Sequence, residues 1–173
     1  MSFNVLADYL VQNDRENEPA KRQMKYSWEY RRGRLVKEIL RWSPHIVNLQ
    51  EVDHFEDFFE PRLKNAGYVG IYKRRTGETT HDGCAIFVKE SMFRIVSSHP
   101  IEYNVPDHPV LQKDNIALTA VVEATSNRKL FERTKTTGLA IMGTVLQLGN
   151  LTALKLNEMT SESTSRTRCS RMR

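Results

Sequence analysis

The chain has 173 residues, 39% hydrophobic and 27% charged, enough for one domain with a real core. No run reaches the roughly 18 apolar residues of a membrane span, and the longest, Leu139 to Leu148, suits a buried element. The net charge of +5 does not identify a nucleic-acid partner, because residues 126–173 hold nine Lys/Arg against three Asp/Glu and residues 1–125 hold seventeen against eighteen.

Met1 to Ala7 alternates, with Phe3, Val5 and Ala7 on one side and Ser2 and Asn4 on the other, which predicts a half-buried strand. No charged leader or hydrophobic signal region precedes it, so secretion is not expected. The two cysteines, Cys84 in an apolar stretch and Cys169 in a polar one, suit reduced thiols in the cytoplasm or nucleus. Tyr9 to Lys25 reads as a loop. Ser27 can cap a helix running to about Trp42, with Trp28, Leu35, Val36, Ile39 and Leu40 at helical spacing, and Ser43-Pro44 stops it.

His45 to Gln50 is short, apolar and β-branched, hence a buried strand, and it ends in Glu51-Val52-Asp53. Asp53 suits the cap of a second helix reaching Gly67, with Pro61 kinking it. Strand, helix, strand, helix is the order of a layered α/β domain. Strands are then expected at Tyr68 to Lys73, Gly83 to Val88, Phe93 to Val96, Ile101 to Tyr103 and Asn115 to Ala124. Thr125-Ser126-Asn127 reads as a hairpin turn, and Lys129-Leu130-Phe131 begins a returning strand. From residue 132 the pattern fails, and Thr160 to Arg173, with seven Ser/Thr and four Arg, reads as a disordered tail.

A carboxylate at the end of a buried strand is the first chemical candidate. Glu51 would leave the sheet into a cleft, where one or two carboxylates plus water and substrate phosphate oxygens can hold magnesium. Asn4, on the polar face of the first strand, could sit beside it. The competing reading is that Glu51 simply opens a helix, where acids favour the dipole. Lys73, Arg74 and Arg75 form a local basic cluster for an anion, with a solvated hairpin tip as the alternative. Asp82 reads as a turn residue before a strand, with a hydrogen-bonding role behind the site as the alternative, Cys84 as core, and Arg31 and Arg32 as helix surface. Trp28, Phe55, Phe58 and Phe59 read as core, Asp107-His108 as loop, and His45, His54, His81 and His99 have no metal-ligand spacing.

Five blocks in order carry a family resemblance. They are Asn4-Val5-Leu6-Ala7, Trp28-Glu29-Tyr30-Arg31-Arg32, Leu49-Gln50-Glu51-Val52-Asp53, Gly67-Tyr68-Val69-Gly70 with Asp82-Gly83-Cys84-Ala85-Ile86-Phe87, and Lys113-Asp114-Asn115. Over about 125 residues they resemble the endonuclease/exonuclease/phosphatase superfamily, in particular the carbon catabolite repressor deadenylases, nocturnin and the angel proteins. The resemblance implies part of a four-layer α/β sandwich, deoxyribonuclease-I-like, over residues 1–131, followed by a divergent tail over 132–173. It implies magnesium-dependent phosphodiester hydrolysis at the poly(A) 3′ end of mRNA. Glu51 would be the metal ligand, with Asn4 as its catalytic neighbour, and Arg75 with Lys73 and Arg74 would approach the substrate.

The family continues with a phosphate-binding histidine, a Gly-Asp-Phe-Asn block and a terminal Asp-His pair, none of which follows Phe131 here. The expectation is therefore an incomplete, inactive site, and a sheet face left bare that invites a protein partner. The alternatives are a non-catalytic RNA- or protein-binding chain and a nocturnin-like small-molecule phosphatase.

Overall fold

The computed structural model describes residues 1–12, 24–109 and 111–125, together with the backbone of residues 139–145. Strand β1 (Ser2–Asn4) is shorter than its alternation suggested, and the short helix α1 (Asp8–Gln12) follows it, where a loop was expected. Helix α2 (Trp28–Trp42) begins as its sequence dictates, with the Ser27 hydroxyl accepting from the Tyr30 N–H. It ends at Ser43, whose left-handed backbone lets its N–H reach the carbonyls of Ile39 and Leu40 just before Pro44.

Strand β2 (Ile46–Gln50) leads into a π-helical turn (Phe55–Phe59) and then helix α3 (Glu60–Asn65). Pro61 was expected to kink one helix. It stands instead in the first turn of α3, where its missing N–H leaves no bond unmade, and the helix changes type just ahead of it.

Strands β3 (Tyr68–Arg74), β4 (Gly83–Lys89), β5 (Phe93–Glu102) and β6 (Ile116–Ala124) follow. The two strands expected within 93–103 are one, with an irregularity between Ile95 and Ser97. Pro100 is tolerated because β5 is an edge strand. The antiparallel partner of β6 on its other side is β7 (Leu139–Val145). That strand lies within the apolar run Leu139 to Leu148 that suited a buried element. The turn at 126–127, the strand start at 129–131, the 131/132 boundary and the tail at 160–173 lie outside the described residues.

One sheet has the order β1-β2-β4-β3 and the other β5-β6-β7. Strand β4 is apolar along its length because both its faces are covered. Ala85 and Phe87 join Val36, Ile39, Leu49, Phe59 and Leu63 in a core beneath the helices. Cys84, Ile86 and Val88 pack on Ile116, Leu118, Ala120 and Val122 of β6. Each of these large side chains contributes about 1.5–3 kcal/mol by burial. The result is mixed α/β, with a helical layer on one sheet and a second sheet on the other. Strand β6 thus covers the four-stranded sheet where it meets β4. No helix among the described residues is long and apolar enough to cross a membrane.

Candidate active site

Topology gathers the candidate residues. Strands β1 and β2 run parallel, with Asn4 opposite Gln50, so their carboxyl ends finish side by side. Strand β4 is antiparallel to both β2 and β3, so it begins, and β3 ends, at that same edge. The Val52 N–H donates to the Gly83 carbonyl at 2.9 Å, which ties the exit of β2 to the entry of β4. Asn4, Glu51, Arg75 and Asp82 thus lie at one end of the four-stranded sheet.

Glu51 does not open a helix. Its backbone is left-handed, φ 55°, which turns the chain sharply as it leaves β2. The side chain is 9% exposed. Its Oε1 accepts from the Asn4 amide Nδ2 at 2.7 Å, while Oε2 is buried with no hydrogen-bond partner. The Asn4 Oδ1 in turn accepts from the Leu6 N–H at 2.8 Å, so the amide presents its nitrogen to the carboxylate. A buried carboxylate oxygen left open is costly unless something else satisfies it. A hard divalent cation fits that donor set. Among the described residues no group of three His, Cys, Asp or Glu could hold a metal, so Glu51 would share it with water and phosphate oxygens.

Asp53 was expected to cap its own helix. It serves α1 instead, its Oδ2 accepting from the Asp8 N–H at 2.5 Å, and burial raises its pKa. Arg31, read from sequence as helix surface, is turned inward with only 11% of its side chain exposed. Its Nη1 donates to the carbonyls of Val5 and Leu6 at 2.9 and 2.8 Å, and its Nε to the Tyr26 carbonyl at 2.7 Å. Arg32 is exposed, as expected.

The structure does not bring Lys73, Arg74 and Arg75 together. Lys73 pairs with Glu102 on β5 at 2.5 Å, and Arg74 donates to the Thr80 carbonyl at 2.7 Å. Arg75 alone turns inward. Its Nη2 reaches Asp82 at 2.6 Å and the Tyr9 hydroxyl at 2.7 Å, and that hydroxyl donates to Asp82 at 2.5 Å. Burial works against the Arg75 charge, but Asp82 and Tyr9 outweigh it and the net shift of its pKa is upward. Asp82 is fully buried, a structural partner rather than a simple turn residue.

Trp28, Phe58 and Phe59 fall in the core, where the sequence put them. His54 stacks on Trp28 with ring centroids 4.0 Å apart and bonds Asp57 at 2.8 Å. Asp107 occupies a left-handed turn, and the His108 ring accepts from the Leu111 N–H at 3.0 Å within the same loop. Sequence reading missed Tyr9 and Arg31. Arg31 stands one helical turn after the buried Trp28, a spacing that could have marked it as inward-facing.

Comparison with known proteins identifies the family. Residues 1–139 match the Endonuclease/Exonuclease/phosphatase family. Protein angel homolog 1 of Rattus norvegicus is 38% identical over 125 residues, covering 71% of this chain and 19% of its own length. Carbon catabolite repressor protein 4 homolog 6 of Arabidopsis thaliana is 40% identical over 126 residues, covering 71% and 16%. Among solved structures, ANGEL2, a 2′,3′-cyclic phosphatase crystallised with adenosine-2′,3′-vanadate, superposes with a TM-score of 0.73 at 29% identity. That match covers 86% of this chain and 41% of the other. The human nocturnin catalytic domain gives a TM-score of 0.55 at 25% identity, covering 79% and 52%. The chain thus spans about a fifth of the length of these curated relatives.

Proposed function

The chain belongs to the endonuclease/exonuclease/phosphatase family, and from that premise we propose that Glu51 and Asn4 form the metal half of a phosphodiester hydrolase site. The observation that carries the reading is the divided Glu51 carboxylate, with one oxygen held by Asn4 and the other buried and open. Glu51 would hold magnesium through that open oxygen. Asn4 keeps the carboxylate turned and has one amide hydrogen left for a phosphate oxygen. Arg75 stays charged beside Asp82 and Tyr9 at the Glu51 end of the sheet and would carry the phosphate side of the site, whereas Lys73 and Arg74 turn to Glu102 and Thr80. Bound magnesium would polarise the phosphate and stabilise the leaving 3′ oxygen.

The substrate class we propose is the poly(A) 3′ end of mRNA, supported by similarity to carbon catabolite repressor proteins. A cytoplasmic or nuclear setting fits Cys84, a free thiol in the core. The chemistry also needs a general base and a second acidic group, and such proton-transfer groups contribute roughly 10²–10⁴-fold. The 173-residue chain alone is therefore expected to leave an A-tailed RNA intact while binding manganese or magnesium through Glu51. Calorimetric titration with Mn²⁺ should saturate for the wild type and not for Glu51→Gln. Equal binding by both proteins would remove the site, and magnesium-dependent RNA shortening by the chain would remove the claim of inactivity. A second reading, hydrolysis of a cyclic phosphate, is favoured by the likeness to a 2′,3′-cyclic phosphatase over 86% of this chain.

A further inference from the structure

We infer that Arg31 is a positioning residue for the metal-binding carboxylate, acting through the left-handed turn at Leu6 and the Asn4 amide. The inference rests on the Glu51 site proposed above. Leu6 adopts φ 58°, a conformation that side chains other than glycine rarely take and that persists only where neighbours impose it. The guanidinium of Arg31 supplies that imposition. One nitrogen, Nη1, donates to the carbonyls on both sides of the Val5–Leu6 step, at 2.9 and 2.8 Å. A second, Nη2, lies 3.7 Å from Asp8 Oδ1 just beyond the turn.

The turn then decides what Asn4 does. The Val5–Leu6 peptide that Arg31 holds by its Val5 carbonyl points its opposite end, the Leu6 N–H, back at Asn4 Oδ1 at 2.8 Å. That contact leaves Nδ2 facing Glu51, where it engages Oε1 at 2.7 Å and leaves Oε2 open. Asp53 braces the far side of the same segment through the Asp8 N–H. Arg31 itself is fixed by its bond to the Tyr26 carbonyl, and its guanidinium lies over the Trp28 ring, 6.0 Å from the centroid. A lysine could not replace it. A single ammonium lacks the planar fork that spans two carbonyls and a carboxylate at once.

The test is Mn²⁺ affinity of the full 173-residue chain, with no substrate and no turnover. Arg31→Lys should weaken binding on the order of tenfold, the scale of partners that orient a metal ligand. In an Asn4→Ala background Arg31→Lys should cost almost nothing more, because its path to Glu51 is already cut. Leu6→Gly should recover part of the loss in Arg31→Lys, since glycine takes the left-handed turn unaided. A merely structural Arg31 predicts the opposite on both counts: the same loss with or without Asn4, and no rescue by glycine.

If Arg31→Lys fails to fold, position 6 still decides in the presence of Arg31. Leu6→Ile, which is β-branched and poorly suited to positive φ, should bind several-fold more weakly than wild type. Wild-type affinity in both Arg31→Lys and Leu6→Ile would overturn the positioning role while leaving a Glu51-dependent site intact. Glu51→Gln binding like wild type would instead remove the site beneath it.

Discussion

The two sheets spend their buried atoms differently. Among the described residues, buried polar side-chain atoms without a hydrogen-bond partner occur on Asn48, Glu51, Asp53, Arg75 and Asp82, all in the four-stranded sheet or its loops. The described part of the three-stranded sheet buries Ile116, Leu118, Ala120 and Val122 and keeps its charges outside, as in the exposed Arg94–Glu123 pair. A protein normally satisfies nearly all its buried polar groups. One sheet is therefore built to be packed against, and the other ends in a place where chemistry can be done.

That contrast is breakable by mutation. Asp82→Ala should have the largest effect, about 3 kcal/mol in urea unfolding, because it strands the Arg75 charge in a mostly buried setting. A cost under about 1 kcal/mol would mean that this end of the sheet is as tolerant as a surface.

Tyr9→Phe removes the hydroxyl between Arg75 and Asp82 and should cost about 1.5 kcal/mol at neutral pH, as hydrogen bonds to charged groups do. Burial, followed by the Asp82 charge, raises the Tyr9 pKa above 10.0. A raised value in the folded state means that the contribution is whole below pH 10 and is lost as pH climbs through the higher folded value. The stability gap between wild type and Tyr9→Phe should therefore close only in strong alkali, and a gap that closes below pH 10 would contradict the arrangement.

In the packed sheet, Ile116→Val should cost about 1 kcal/mol, the usual toll of one buried methylene. Arg94→Ala should cost about 0.5 kcal/mol or less, since both partners are largely exposed. Thermal unfolding in low and high salt would check the second, and a loss above 1 kcal/mol would mean that the outer face of this sheet carries more than a solvated ion pair.

Much of this was legible in residue order. Glu51 follows a β-branched run and Asn4 sits on the polar side of an alternating segment, so the two could be neighbours, and the parallel pairing of β1 and β2 sets their ends side by side. What escaped depended on contacts across long separations. Asp53 caps a helix 45 residues earlier, which no local rule can see. Arg31 lies on a helix whose polar positions mostly face water, and only the return of the β1–α1 turn beneath it makes it inward. The basic run divides for a simpler reason, because strand alternation sends Lys73 and Arg74 to opposite faces. Strand β7 was legible only as an apolar run without alternation, and its pairing is set by β6.

The stacked pair of Trp28 and His54 has a practical corollary. The protein has two indoles, one 8% and one 64% exposed. In a Trp42→Phe chain the whole tryptophan emission would come from a ring lying flat on an imidazole beneath the Arg31 guanidinium. Its colour and its shielding from iodide would then report, without any added label, whether that guanidinium is still in place.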